Sequence, residues 1–221
     1  MFESKSGILL VGGLGFFLFA FLSNAVVPIL LYQDMPEQTV EELASNNQNL
    51  LYMFEDLSRR YPDQFEKYYG EANPESLAKA LTIGRKVYTG EGCWHCHSQF
   101  IRPVSNESER WGKVASSDEY QNELQRPVLW GTRRVGPDLS REGGRRGNDW
   151  HAVHFYDPQM LSPTSPMPKY RWFYDDNSPD KPNERGLAMI TYVQWLGSWL
   201  EQYPDYENYT PLEEQMRNPL E

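Results

Sequence analysis

Gly92-Cys93-Trp94-His95-Cys96-His97 contains a C-x-x-C-H run. Two thiols at this spacing can add to the two vinyl groups of a haem as thioethers. His97, the next residue, then falls under the iron as its proximal ligand. The chain of 221 residues has 2 cysteines, both in this run, so a disulfide framework is excluded and no thiol is left for other chemistry. Zinc is the competing reading. It would need two further ligands, for which His151 and His154 are available, but there is no second cysteine pair. A thioredoxin-like redox site would need a βαβ pattern, which the sequence lacks. The run therefore predicts one covalently bound haem c, held by Cys93 and Cys96 and ligated by His97.

A sixth iron ligand must come from further along the chain. Met160, Met167, Met189, His151 and His154 are the candidates. Met167 stands in Ser165-Pro166-Met167-Pro168, where flanking prolines stiffen a loop and fix the angle of a projecting side chain. Met160 and Met189 read as packing residues. His151 and His154 read as buried, hydrogen-bonded histidines or haem-propionate contacts rather than iron ligands. Methionine ligation raises the reduction potential relative to a second histidine. Downstream of the motif, Gly136-Pro137-Asp138-Leu139 resembles the Gly-Pro-x-Leu segment of class I cytochromes c. That resemblance implies that the Pro137 carbonyl accepts a hydrogen bond from His97 and so orients the ring.

Upstream, Gly7 to Tyr32 carries no charge over roughly 26 positions, or about 39 Å as a helix, enough to cross a bilayer with some tilt. Ser23-Asn24-Ala25 looks like a signal-peptide cleavage site, but the apolar run continues past it, so the expectation is a retained anchor. Lys5 before the run and acidic residues after it favour the N-terminus inside. Haem c is attached on the outer face of the bacterial cytoplasmic membrane, which places the haem domain on the periplasmic side. Residues 34–72 are polar and helical in pattern. Val40, Leu43, Leu50, Leu51, Phe54 and Leu57 recur at three- and four-residue spacings, with a break at Asn46-Asn47 and a new turn at Pro62. This stretch is read as a helical spacer or a docking segment. Asn73-Pro74-Glu75 starts a helix whose face is Leu77, Leu81, Gly84 and Tyr88 and which ends at Gly90 and Gly92. A closing helix from about Asn183 to Trp199 carries an apolar stripe of Met189, Tyr192, Val193, Leu196 and Leu200. The resemblance to class I cytochromes c implies that its Tyr192–Leu196 face crosses the first helix at Gly84.

The expected organisation is a transmembrane anchor over 1–33, the helical segment 34–72, a mono-haem domain over 73–203 and an acidic tail over 204–221. The fold class is mainly α. A formal net charge of -10 argues against nucleic acid and against an anionic lipid surface as partners of the soluble part. With 39% hydrophobic residues the core must be small, and a large apolar cofactor can replace missing side-chain core.

Three blocks are more specific than C-x-x-C-H alone. They are Gly92 to Pro103, Trp130-Gly131-Thr132-Arg133-Arg134-Val135-Gly136-Pro137-Asp138-Leu139, and Asp149-Trp150-His151 with His154, Pro158, Ser165, Met167-Pro168 and Tyr170. Together they resemble the mono-haem cytochrome c subunit of cbb3-type haem–copper oxidases. The resemblance implies a subunit beside a multi-helix catalytic subunit carrying haems b and copper. It implies a di-haem or soluble cytochrome c as the electron donor. It also implies Met167 as distal ligand, Arg133 or Arg134 near a haem propionate, and Ser98, Arg102, Trp130 and Thr132 towards the catalytic subunit. The segment 33–72 is longer than that family's usual spacer. Competing assignments are the small cytochrome c subunit of a nitric oxide reductase, a free-standing membrane-tethered carrier and a haem sensor. The sequence holds no catalytic constellation of its own, so any enzyme activity belongs to the assembly.

Overall fold

The computed structural model describes residues 4–198. The chain divides after Glu37 into two units. The first is built around a single helix, α1 (Lys5–Tyr32), long and apolar enough to cross a membrane. Pro28 has no N–H to give to Asn24, and the helix widens just ahead of it, over Leu22–Val26, into a π-type turn where Val27 N–H reaches the Leu22 carbonyl. Asn24 turns its amide back onto the Ala20 carbonyl at 2.9 Å, so its polar group is satisfied within the helix.

The second unit is helical, and among the described residues its β-pairing is limited to isolated bridges. It opens with α2 (Val40–Ser45), α3 (Gln48–Arg60) and α4 (Pro62–Tyr69). The break between α2 and α3 falls at Asn46-Asn47, where the Asn47 side chain caps α3 by accepting from Leu50 N–H. Thr39 and Glu42 form a reciprocal cap on α2. Val40, Leu43, Leu50, Phe54, Leu57, Phe65 and Tyr69 from these helices are buried in one cluster with Leu77, Leu81 and Leu187. Residues 38–72 are thus part of the core.

α5 (Pro74–Gly90) begins where Asn73 and Ser76 cap each other. α9 (Glu184–Trp195), capped by Asn183, crosses it. At the crossing a Cβ on Gly84 would sit 2.3 Å from the Ala188 carbonyl and 2.5 Å from Tyr192 Cβ. Only glycine permits this approach. Gly84 therefore meets Tyr192, as expected, together with Ala188 one turn earlier rather than Leu196. α9 also ends earlier than expected: Leu196 leaves helical geometry and Gly197 turns at φ +81. Leu200, Trp199 and the tail expected over 204–221 lie outside the described residues. Between α5 and α9 come three further helices, α6 (Cys93–His97), α7 (Glu107–Trp111) and α8 (Asn148–Tyr156), with short 3₁₀ turns among them.

Candidate haem site

α6 is a single turn that follows α5 after a two-residue link. Gly92 adopts φ +71 to start it and Ser98 φ +61 to leave it. Within one turn, residues i and i+3 share a face, so Cys93 and Cys96 lie together, both as free thiols, Cys93 buried and Cys96 exposed. Burial pushes the Cys93 thiol up to about 12, which keeps it protonated.

The segment from Leu129 to Leu139 runs along α6 and is tied to it by backbone bonds. Gln99 N–H donates to the Leu129 carbonyl at 2.7 Å, Gly136 N–H to Cys96 at 3.1 Å and Leu139 N–H to Ser98 at 3.1 Å. Two glycines permit the contact. A Cβ on Gly131 would lie 2.3 Å from the Trp94 carbonyl, and one on Gly136 would lie 2.3 Å from His97 Cε1. With the loop held there, His97 Nδ1 lies 2.9 Å from the Pro137 carbonyl. A carbonyl only accepts, so Nδ1 carries the ring proton and the lone pair sits on Nε2. Burial also lowers the His97 pKa, although the Pro137 bond opposes it, and the neutral ring is the form that ligates a metal.

These residues fit a haem c: two adjacent unpaired thiols, then an imidazole locked with Nε2 as its free donor. They fit zinc poorly, because among the described residues no three His, Cys, Asp or Glu side chains come together. Met167 is half-buried against the edge of the hydrophobic cluster, with its N–H on Ser165 Oγ at 3.3 Å. The other methionine candidates differ in setting: Met160 is 62% exposed, and Met189 is buried within α9. His151 and His154 lie on α8, where His151 Nε2 and His154 Nδ1 are buried without a hydrogen-bond partner from the chain. Burial holds both neutral, lowering the pKa of His151 to about 3 and that of His154 to about 4.

Arg133 is exposed. Arg134 is engaged within the chain: it bonds Glu107 at 2.8 Å, Asp138 at 3.1 Å and the Phe100 carbonyl. Arg102 pairs with Glu107 and lies 5.8 Å from the Trp130 ring. Trp130 is 48% exposed, Thr132 is exposed and Ser98 is buried. Glu107, Glu119 and Arg141 escaped the sequence reading. Each is buried and ion-paired, in a stretch whose apolar pattern has no period to mark it.

The family described as "Cytochrome C oxidase, mono-heme subunit/FixO" matches residues 75–195. No individual curated protein matches the chain.

Proposed function

The chain belongs to the mono-haem (FixO) subunit family of cbb3-type cytochrome c oxidases, and from that premise we propose that it relays electrons from a di-haem or soluble cytochrome c to the haem–copper catalytic subunit. Membership makes it a respiratory electron-transfer subunit that works within the oxidase complex. It also speaks against the nitric oxide reductase alternative. The haem-holding part of this reading rests on one observation: the His97–Pro137 bond that leaves Nε2 free beside two unpaired thiols.

The chain's residues have distinct parts in this reading. Cys93 and Cys96 would hold the haem through thioethers, which would prevent its loss from an extracytoplasmic compartment. His97 would offer Nε2 to the iron, with Pro137 orienting the ring. Met167 would supply a sulfur ligand. The bound group supplies one-electron chemistry at iron. α1 anchors the chain in the bacterial cytoplasmic membrane, with the haem unit on the periplasmic face. The catalytic subunit docks on the side carrying Arg102, Trp130 and Thr132. There an exposed tryptophan beside an arginine offers the residue types that anchor interfaces.

The distal ligand gives the sharpest test. Met167→Ala should abolish the weak near-infrared sulfur-to-iron band of the oxidised protein while the haem stays covalently attached. Survival of that band in this variant, with loss on replacing Met160 or Met189, would move the ligand.

A further inference from the structure

The structure places four charged side chains in one network behind the loop that orients His97. Glu107, Arg134 and Asp138 keep 9%, 8% and 1% of their side-chain surface, and Arg102 keeps 30%. Glu107 Oε1 accepts from Arg102 Nε at 2.8 Å and from Arg134 Nη1 at 2.8 Å, while its Oε2 accepts from Arg102 N–H at 2.8 Å. Arg134 Nε donates to Asp138 Oδ2 at 3.1 Å, and Nη2 donates to the Phe100 carbonyl. Asp138 Oδ2 also accepts from Phe100 N–H at 3.3 Å. Its Oδ1 accepts from Ser140 N–H at 2.9 Å and from the Ser140 hydroxyl. Asp138 directly follows Pro137, whose carbonyl receives the His97 ring proton at 2.9 Å.

Stability is a poor explanation for this arrangement. A buried ionic network generally stabilises a fold no better than well-packed apolar groups of the same size. What it supplies here is position. The proline ring fixes φ at Pro137 but not ψ, and the Pro137 carbonyl shares its peptide plane with Asp138 N, so where it points depends on what holds the neighbours. Gly136 is held by its bond to Cys96, and Asp138 is held on both carboxylate oxygens.

We propose that Arg134, acting through Asp138, is a positioning residue that sets the Pro137–His97 hydrogen bond and thereby the reduction potential of the haem. This rests on the reading of His97 as the proximal ligand. A firm acceptor at Nδ1 makes the imidazole a stronger donor, which favours ferric iron and lowers the potential. A loosened acceptor raises it.

The charge itself makes a different prediction, and this separates the two roles. Arg134→Lys keeps the charge but loses the planar fork that reaches Glu107, Asp138 and Phe100 together. If Arg134 acts only through its field, the potential stays unchanged in this variant. If it positions Pro137, the ferrous-to-ferric ratio at a fixed ambient potential rises several-fold, a tenfold rise corresponding to about 59 mV for one electron. Arg134→Gln separates the roles by sign. Loss of a positive charge alone lowers the potential, whereas loss of positioning raises it.

The measurement is a redox titration of the covalent haem in the purified oxidase complex, with pulsed EPR of the oxidised low-spin haem reading the remote ring nitrogen of His97. We expect a higher potential in both variants and an altered nitrogen coupling. An unchanged potential in Arg134→Lys with a lowered one in Arg134→Gln overturns the positioning role. If neither variant retains haem, Asp138→Asn carries the test through the nitrogen coupling, and an unchanged coupling there overturns it equally. Failure of the underlying reading looks different: the wild-type complex would then show no covalent haem on this chain, or no imidazole signal at its iron.

Discussion

Where α5 crosses α9, the contact is close and mostly apolar. Gly84 meets Ala188 and Tyr192 there, Leu77, Leu81 and Leu187 are fully buried, and Tyr88 packs on Tyr192 at 5.2 Å between ring centroids. The stretch from Ser98 to Arg141 is built the other way. Its regular structure is limited to α7 and two 3₁₀ turns, and its interior holds Glu107, Glu119, Arg134, Asp138 and Arg141 in ion pairs. Both regions flank the same motif helix. The difference teaches that the scaffold of the site tolerates no added volume at its crossing, while the loop that orients His97 depends on keeping each buried charge matched.

The largest effect should come at the crossing. Gly84→Val places carbon where the Ala188 carbonyl and Tyr192 Cβ already are, and neither is the free end of a flexible side chain. The helices must separate, at a cost of several kcal/mol, and haem-containing protein should fail to accumulate in membranes. Normal haem staining of this variant would show that the crossing can slide, and the contrast with the loop would weaken.

Next comes the loop itself. Arg141 Nη2 donates to Glu119 Oε1 at 2.8 Å with both side chains nearly inaccessible, and Nη1 donates to the Lys113 carbonyl at 2.6 Å. Glu119→Gln leaves that guanidinium buried without its counter-charge, which should cost about 3 kcal/mol in chemical denaturation of the detergent-solubilised chain. Adding Arg141→Met should recover much of the loss, because the unpaired charge is then gone. A double variant no better than the single one would mean that shape, not charge matching, holds this stretch.

How much of each region could be read from sequence follows from the same difference. The capped start of α5, its apolar face, Gly84 and the break at Asn46-Asn47 all follow from the 3.6-residue period and from local cap chemistry, and the structure has them. The motif and its Gly-Pro partner could be read because the chemistry sits in adjacent residues. The ion pairs could not. Glu107 finds Arg134 twenty-seven positions away, and no periodicity announces a buried carboxylate. Arg133 or Arg134 was expected near a propionate, and no local pattern announced that Arg134 also bonds Asp138 and Glu107. The end of α9 was misjudged for a related reason: the apolar stripe runs on through Leu196, but Gly197 takes a left-handed turn against Arg141, and only the tertiary contact reveals it.

The histidines of α8 give a pH-dependent test. His151 is buried beside His154 and Arg146, and burial lowers its pKa from 6.5 to about 3. Below pH 6.5 the unfolded chain binds a proton that the folded chain refuses. The stability contributed by neutral His151 is therefore complete above that pH and is lost as pH falls towards about 3. Between pH 7 and pH 5 the loss is about 2 kcal/mol. Burial raises the pKa of Asp138 and of Glu142, whose slopes run in the opposite sense, so the quantity to measure is the difference between the wild type and His151→Gln. That difference should narrow as pH falls. A constant difference would mean that His151 is solvated in the folded protein.

The smallest effect tests whether α5 depends on its cap or on its packing. Asn73 Oδ1 accepts from Ser76 N–H at 2.9 Å, Ser76 Oγ accepts from Asn73 N–H at 3.1 Å, and the same hydroxyl donates to the Glu71 carbonyl at 2.7 Å. Pro74 already removes one of the unsatisfied donors of the first turn. Asn73→Ala deletes one accepted bond and leaves the helix its buried face, so the expected loss is about 1 kcal/mol. Asn73→Ser, which keeps an oxygen at the cap, should lose less. The covalent haem and its spectrum should be unaffected in both, because the helix start is a full helix length from the motif. A loss for Asn73→Ala as large as that for Glu119→Gln would break the comparison: the crossing would then depend on local hydrogen bonds as much as the loop does, and packing against Ala188 and Tyr192 could not be what holds α5 in place.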